Sequence, residues 1–232
     1  MNNFKAIIFD MDGLLLDSEK ISFDTFNETL KLFNLEKENK LFYQMIGKDE
    51  KSWKNLLKEN LSGKTDPNKF AKVWSDLYKK ETTSKPIPIK DGAVALLNHL
   101  KDLKLITAIA TSTKTNTAKE KLKNARLLEY FQLVIGGDQV KKGKPNPDIY
   151  LHVADKLSVN PQQCLALEDS ENGVKSAISA NMRVIQIPDM VQPSNELKQL
   201  GHTVLASLED VICYDFSSFP SVLGGNVYES YN

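Results

Sequence analysis

Phe4-Lys5-Ala6-Ile7-Ile8-Phe9-Asp10-Met11-Asp12-Gly13 is a nearly continuous apolar run that stops on an acidic pair. A strand covered on both faces reads this way, because no alternate residue has to meet water. Shorter runs recur at residues 105–110, 133–135, 164–167 and 184–187, each closed by polar or glycine-bearing sequence. Between them lie helical spacings, at 91–103 (Val94, Leu97 and Leu100 on one face), 115–125, 147–157 and 171–180. Strands alternating with helices predict an α/β fold with a Rossmann-like, doubly wound parallel sheet.

From about residue 19 to 85 the alternation fails, and only amphipathic helical patterns are present. The economical reading is an inserted all-helical domain, entered near residues 14–18 and left through Lys85-Pro86-Ile87-Pro88, where two prolines end the helix. The expected division is a core of residues 1–17 and 88–215, a helical insert of 18–87 and a tail of 216–232 without periodicity. In the insert, Phe23, Phe26, Phe33, Trp53 and Trp74 stand at core-packing spacings.

Thirty basic residues balance thirty acidic ones, which removes the net basic field that draws proteins to nucleic acid or anionic membrane. A small-molecule partner and a monomer are expected. Cys164 and Cys213, without a CxxC, read as buried fillers in a reducing, cytoplasmic setting. The opening apolar run is too short for a signal peptide or a membrane span. His99, His152 and His202 lack ligand spacing, and the cluster Lys114, Lys119, Lys121, Lys123 and Arg126 reads as a solvated face.

In an open parallel sheet, ligands gather beyond the carboxyl ends of the strands. The residues there are Asp10, Asp12 and Gly13; Thr111, Ser112 and Thr113; a Gly136-Gly137-Asp138 turn leading to Lys144; and Glu168 with Asp169. Carboxylates crowded in this way need a cation, and an all-oxygen site suits magnesium with a substrate phosphate. Lys144 and the Thr111 hydroxyl suit the oxygens of a transferring phosphoryl group. Two aspartates two residues apart can divide labour, one attacking phosphorus and the other moving a proton.

The stretch Phe9-Asp10-Met11-Asp12-Gly13-Leu14-Leu15-Leu16-Asp17-Ser18-Glu19 resembles the first motif of the haloacid dehalogenase superfamily. Ala110-Thr111-Ser112-Thr113, Gly143-Lys144-Pro145-Asn146-Pro147-Asp148 and Leu167-Glu168-Asp169-Ser170-Glu171-Asn172-Gly173 resemble the second, third and fourth, in order. The resemblance spans residues 4 to about 210 and implies that the insert is a cap. It implies Asp10 as a nucleophile forming an aspartyl-phosphate and Asp12 as acid and base. Asp10, Asp169 and the backbone carbonyl of Asp12 would hold magnesium, with Glu168 acting directly or through water. Thr111, with Ser112 beside it, and Lys144 would hold the phosphoryl group.

Within that superfamily, dehalogenation fits poorly, because it needs no acid for an alkoxide and Asp12 supplies one. A phosphomutase of the beta-phosphoglucomutase type must grip a second phosphate, yet Ile46 and Glu50 stand where that pattern is basic, and Ser22 where it has histidine. The sequence therefore reads as a magnesium-dependent phosphatase of small metabolites, sugar phosphates or nucleotide-like monoesters. A phosphomutase is the alternative and a non-catalytic binding protein a second one.

Overall fold

The computed structural model describes residues 4–48 and 50–214. In chain order, the elements are strand β1 (Ala6–Phe9), helices α1 (Ser18–Leu32), α2 (Asn39–Met45), α3 (Glu50–Leu61), α4 (Pro67–Ser84) and α5 (Ala93–Asp102), then β2 (Ile106–Thr111) and α6 (Thr115–Asn124). They continue through β3 (Leu133–Gly136), α7 (Asp148–Leu157), β4 (Cys164–Glu168), α8 (Glu171–Ser179), β5 (Arg183–Gln186), α9 (Asn195–Lys198), β6 (Thr203–Val204) and α10 (Leu208–Cys213). Among the described residues, six strands form one sheet in the order β3-β2-β1-β4-β5-β6, and every pairing is parallel. The expected α/β Rossmann-like fold is thus present, with the strand order reversing direction between β1 and β4.

Alternation along the strands sorts bulk to one face. Ile7 and Phe9 join Ile109, Leu165 and Leu167 in a layer covered by α5, α6 and α10. Ala6 and Ile8 join Ala108, Ala110 and Ala166 in the opposite layer, under α7 and α8. The small residues of this second face let those helices sit close to the sheet. Helices α1 to α4 bury a separate apolar cluster containing Phe26, Phe42, Phe70 and Leu57, with Phe23, Phe33, Trp53 and Trp74 packed against it. Phe26 meets Phe70 and Trp74 edge-on, at centroid distances of 5.6 and 5.2 Å.

The chain enters and leaves this helical insert through two paired segments. Leu16 and Ile89 form an antiparallel bridge. Asp17 N–H donates to Pro88 O at 2.8 Å and Lys90 N–H to Leu15 O at 2.9 Å.

Three expectations need correction, and one element goes unread. Strand β2 runs one residue further than the apolar run, so Thr111 closes the strand rather than following it. A short edge strand, β6, has no apolar run to announce it. Val94 is 40% exposed, and the buried face of α5 is Ala93, Leu96, Leu97 and Leu100. Steps of three residues drift about 60° per step around a helix, so Val94 cannot share a face with Leu100. Cys164 is buried, but Cys213 is exposed at the end of α10. The tail reading of residues 216–232 lies outside the described residues. Among the described residues, no helix is long and apolar enough to cross a membrane.

Candidate active site

Strands β1 and β4 lie side by side with Phe9 opposite Leu167, so Asp10 and the pair Glu168-Asp169 emerge together where the strand order reverses. This is the crevice in which open α/β sheets hold ligands. Strand β2 brings Thr111 to the same edge, and the loop before α7 brings Lys144. Ser170 accepts a hydrogen bond from Gly173 N–H at 3.1 Å and so caps α8 directly behind Asp169. Gly13 has φ +86°, and a Cβ there would collide with the Asp169 carboxylate, so glycine is required for the close approach.

A cavity of about 540 Å³ opens at this edge, with Asp10, Asp12, Thr111, Ser112, Lys144 and Asp169 in its wall. Lys144 Nζ donates to Asp10 Oδ1 at 2.5 Å, to Glu168 Oε1 at 2.6 Å and to Ala110 O at 2.9 Å. Glu168 is fully buried beneath the cavity. Its Oε1 also accepts from Tyr150 Oη at 2.6 Å, and its Oε2 from Ser170 Oγ at 3.3 Å. Asp12 is held separately: Oδ1 accepts from Lys121 Nζ at 2.7 Å and Ser18 Oγ at 2.9 Å, and Oδ2 from Thr113 Oγ1 at 2.6 Å. Thr111 Oγ1 accepts from Thr113 N–H at 3.1 Å. The structure thus brings every named candidate to one place, with Glu168 behind the wall rather than in it.

The two aspartates differ in charge environment. Burial pushes the Asp10 carboxyl up to about 7, with Glu168 and Asp12 adding to the rise and Lys144 opposing it. Asp169 is pushed well above the usual range by burial, then by Asp10 and Glu168. Burial works against charge on Asp12 as well, but Lys121 and the hydrogen bonds from Lys121, Thr113 and Ser18 outweigh it and hold Asp12 below the usual range. Glu19, at the start of α1, is pushed up to about 7 by burial and then by Asp12, Asp189 and Asp10.

Oxygens of Asp10, Glu168 and Asp169 lie within 4.8 Å of one another, all on buried residues. One ammonium, Lys144, faces three buried carboxylates, leaving a negative excess that a divalent cation would neutralise. This donor set of hard oxygens fits such an ion. Without metal, folded Asp10 retains a proton between 3.8, its ordinary value, and about 7, while the unfolded chain has lost it. The metal-free protein should therefore lose stability as pH rises through that window, and Asp169 and Glu19 act in the same direction. Asp169→Asn should raise the melting temperature of the metal-free protein at pH 7 and abolish any further rise that an added divalent cation gives the wild type. Thermal denaturation with and without metal checks both; a variant still stabilised by the cation like the wild type would contradict the ligand set.

Several residues of this site are missed by sequence reasoning. Lys121, expected on a solvated face, is buried and bonded to Asp12. The signal lay in its position, since Ala118, Lys121 and Leu122 form the buried side of α6 at spacings of three and four. Thr113 stands among the strand-end residues named from the sequence and Ser18 within the first motif, but their bonds to Asp12 are seen only in three dimensions, and Tyr150 carries no pattern of its own.

A model of the haloacid dehalogenase-like hydrolases matches residues 7–187, and the chain belongs to that family. A phosphorylated carbohydrates phosphatase of Thermotoga maritima is 32% identical over 209 residues, which is 90% of this chain and 96% of that one. Hexitol phosphatase A of Escherichia coli is 31% identical, over 86% of this chain and 91% of its own. A solved haloacid dehalogenase-like protein from Agrobacterium tumefaciens is 26% identical and superposes with a TM-score of 0.77, covering 90% of this chain and 96% of that one. The chain stands among the phosphoric monoester hydrolases of its family.

Proposed function

We propose that this protein is a magnesium-dependent phosphatase of phosphorylated sugars and polyols that works through an aspartyl-phosphate at Asp10. The observation that carries this reading is the placement of Asp10 in the wall of the cavity, 2.5 Å from Lys144, with Asp12 opening onto the same space. Lys144 favours the anionic form of Asp10 and offers charge to a phosphoryl oxygen, and Thr111, oriented by Thr113 N–H, offers its hydroxyl proton to another. With metal and phosphate bound, the proton that burial keeps on Asp10 in the empty site is given up and Asp12 carries one; an Asp10 oxygen then attacks phosphorus as the bond to the ester oxygen breaks, and Asp12 gives that oxygen its proton. Asp12 then takes a proton from the water that displaces Asp10. Asp10, Asp169 and the Asp12 carbonyl would hold magnesium, with Glu168 acting directly or through water; the ion would neutralise charge on the phosphoryl oxygens.

The cavity volume suits a ligand of hexose phosphate size. Its outer wall carries Glu19, Lys48, Glu50 and Asn172 beside Trp53 and Tyr78, groups that can meet hydroxyls and a sugar face. The names of the Thermotoga and Escherichia relatives support the same substrate class. Residues 18–87 serve as a cap that excludes water from the intermediate, hinged on the paired segments around Leu16 and Ile89. Ile46 packs into the interior of the cap, and Glu50 pairs with Lys54 at 2.5 Å, so neither offers a cation to a second phosphate.

Phosphate release from hexose, hexitol and nucleoside monophosphates, with magnesium and with chelator, tests the reading. Beta-glucose 1-phosphate should give free phosphate and glucose. Efficient conversion to glucose 6-phosphate, or no release from any ester, would overturn it.

A further inference from the structure

Lys121 is 6% exposed, whereas Lys114, Lys119 and Lys123 around it lie in solvent. Its ammonium reaches past the sheet edge to Asp12 Oδ1 at 2.7 Å and to the hydroxyl of Tyr78, on α4 of the helical insert, at 3.0 Å. It also stands 5.2 Å from the centre of the Tyr78 ring. Lys121 is not part of the cavity wall, although Asp12 and Tyr78 both are. The Asp12 carboxylate is therefore gripped from two bodies: Thr113 and Lys121 belong to the sheet side, and Ser18 begins the insert.

We propose that Lys121 is a positioning residue that fixes the orientation of the Asp12 carboxylate, and that Tyr78 sets Lys121, so that the seating of the helical insert determines whether Asp12 stands ready for proton transfer. The proposal rests on the acid and base role given to Asp12 above. A buried ammonium needs strong partners, and Asp12 and Tyr78 supply them from opposite sides of the cleft. Moving the insert moves the Tyr78 hydroxyl, which redirects the ammonium and with it the carboxylate. This mechanism would make a remote lysine matter for chemistry without touching substrate. Burial, then Asp12, pushes the Tyr78 phenol up to about 12 against the opposing pull of Lys121, so it stays a neutral hydroxyl beside the ammonium.

The test compares Lys121→Met, Lys121→Arg, Tyr78→Phe, Asp12→Asn and the Lys121→Met/Asp12→Asn double variant on a sugar phosphate and an aryl phosphate, in magnesium. Lys121→Met should lower kcat/KM on the sugar phosphate by roughly 10- to 100-fold, the scale of a misplaced catalytic group, with a much smaller loss of kcat/KM on the aryl ester. Lys121→Arg should recover part of that loss. Placed on Asp12→Asn, Lys121→Met should add nothing, because it acts through Asp12. Tyr78→Phe removes one hydroxyl and should show the same split between substrates on a smaller scale; it decides the matter if Lys121→Met does not fold. Equal losses of kcat/KM on both substrates, full additivity with Asp12→Asn, or wild-type kcat/KM in both single variants would overturn the proposal. An Asp12→Asn enzyme as active as wild type on both substrates would remove the acid and base reading itself, and this inference with it.

Discussion

Asp10→Asn should reduce turnover to background, a loss of at least roughly 10³-fold, the scale seen when a nucleophile is removed from an enzyme. The substitution keeps the shape of the side chain and an acceptor oxygen for Lys144, but an amide oxygen cannot form the phosphoryl ester. It also takes one negative charge from a cluster in which burial already pushes Asp10 up to about 7. The folded protein should therefore be at least as stable as the wild type at neutral pH in the absence of metal, and the loss of activity cannot come from unfolding. Steady-state release of phosphate, together with a melting curve, checks both halves. Residual turnover within tenfold of wild type would mean that another group attacks phosphorus.

Asp12→Asn should show a different signature. General acid catalysis contributes about 10²- to 10⁴-fold where the leaving group needs a proton, so the loss should approach that range on sugar and polyol phosphates. On an activated aryl phosphate, whose phenolate departs unaided, the first step should be nearly spared. Ser18, Thr113 and Lys121 pin both oxygens of Asp12. An asparagine amide in place of Oδ1 would face the Lys121 ammonium, so the side chain should rotate to present its carbonyl oxygen there. A plot of kcat/KM, which reports phosphoryl transfer to Asp10, against leaving-group pKa, steeper for the variant than for the wild type, is the expected readout. Parallel plots would remove Asp12 from proton transfer.

Much of this site is legible in the amino-acid sequence. The apolar run Ala6–Phe9 reads as a doubly covered strand, and once it is placed in a parallel sheet the ends of the other runs gather beside Asp10. Each is short and β-rich enough to mark itself, except Thr203–Val204, whose two residues pair only with β5 at the sheet edge. The aromatic residues of the insert also announce their packing, because helical spacing brings Phe26 and Trp74 to inward faces. Lys121 is the instructive failure. Charge counting treats a lysine among lysines as solvated, yet its partner Asp12 lies 109 positions away in the chain, and only the β1–β2 pairing and the packing of α6 bring the two together. The position of Glu168 at a strand end can be read from its apolar run, but its environment, with Lys144 and Tyr150 on one oxygen and Ser170 on the other, needs three dimensions to be seen.

The most direct measurement is of the intermediate itself. Mixing the protein with magnesium and a good sugar phosphate, quenching in acid during turnover, and mapping peptide masses should find one added phosphoryl group on the peptide carrying Asp10. It should vanish in Asp10→Asn and in chelator, and it should accumulate when the Asp12→Asn variant is given an aryl phosphate, because water is then poorly activated for the second step. A phosphoryl group on another residue, or free phosphate released by Asp10→Asn at the wild-type rate, would contradict the account.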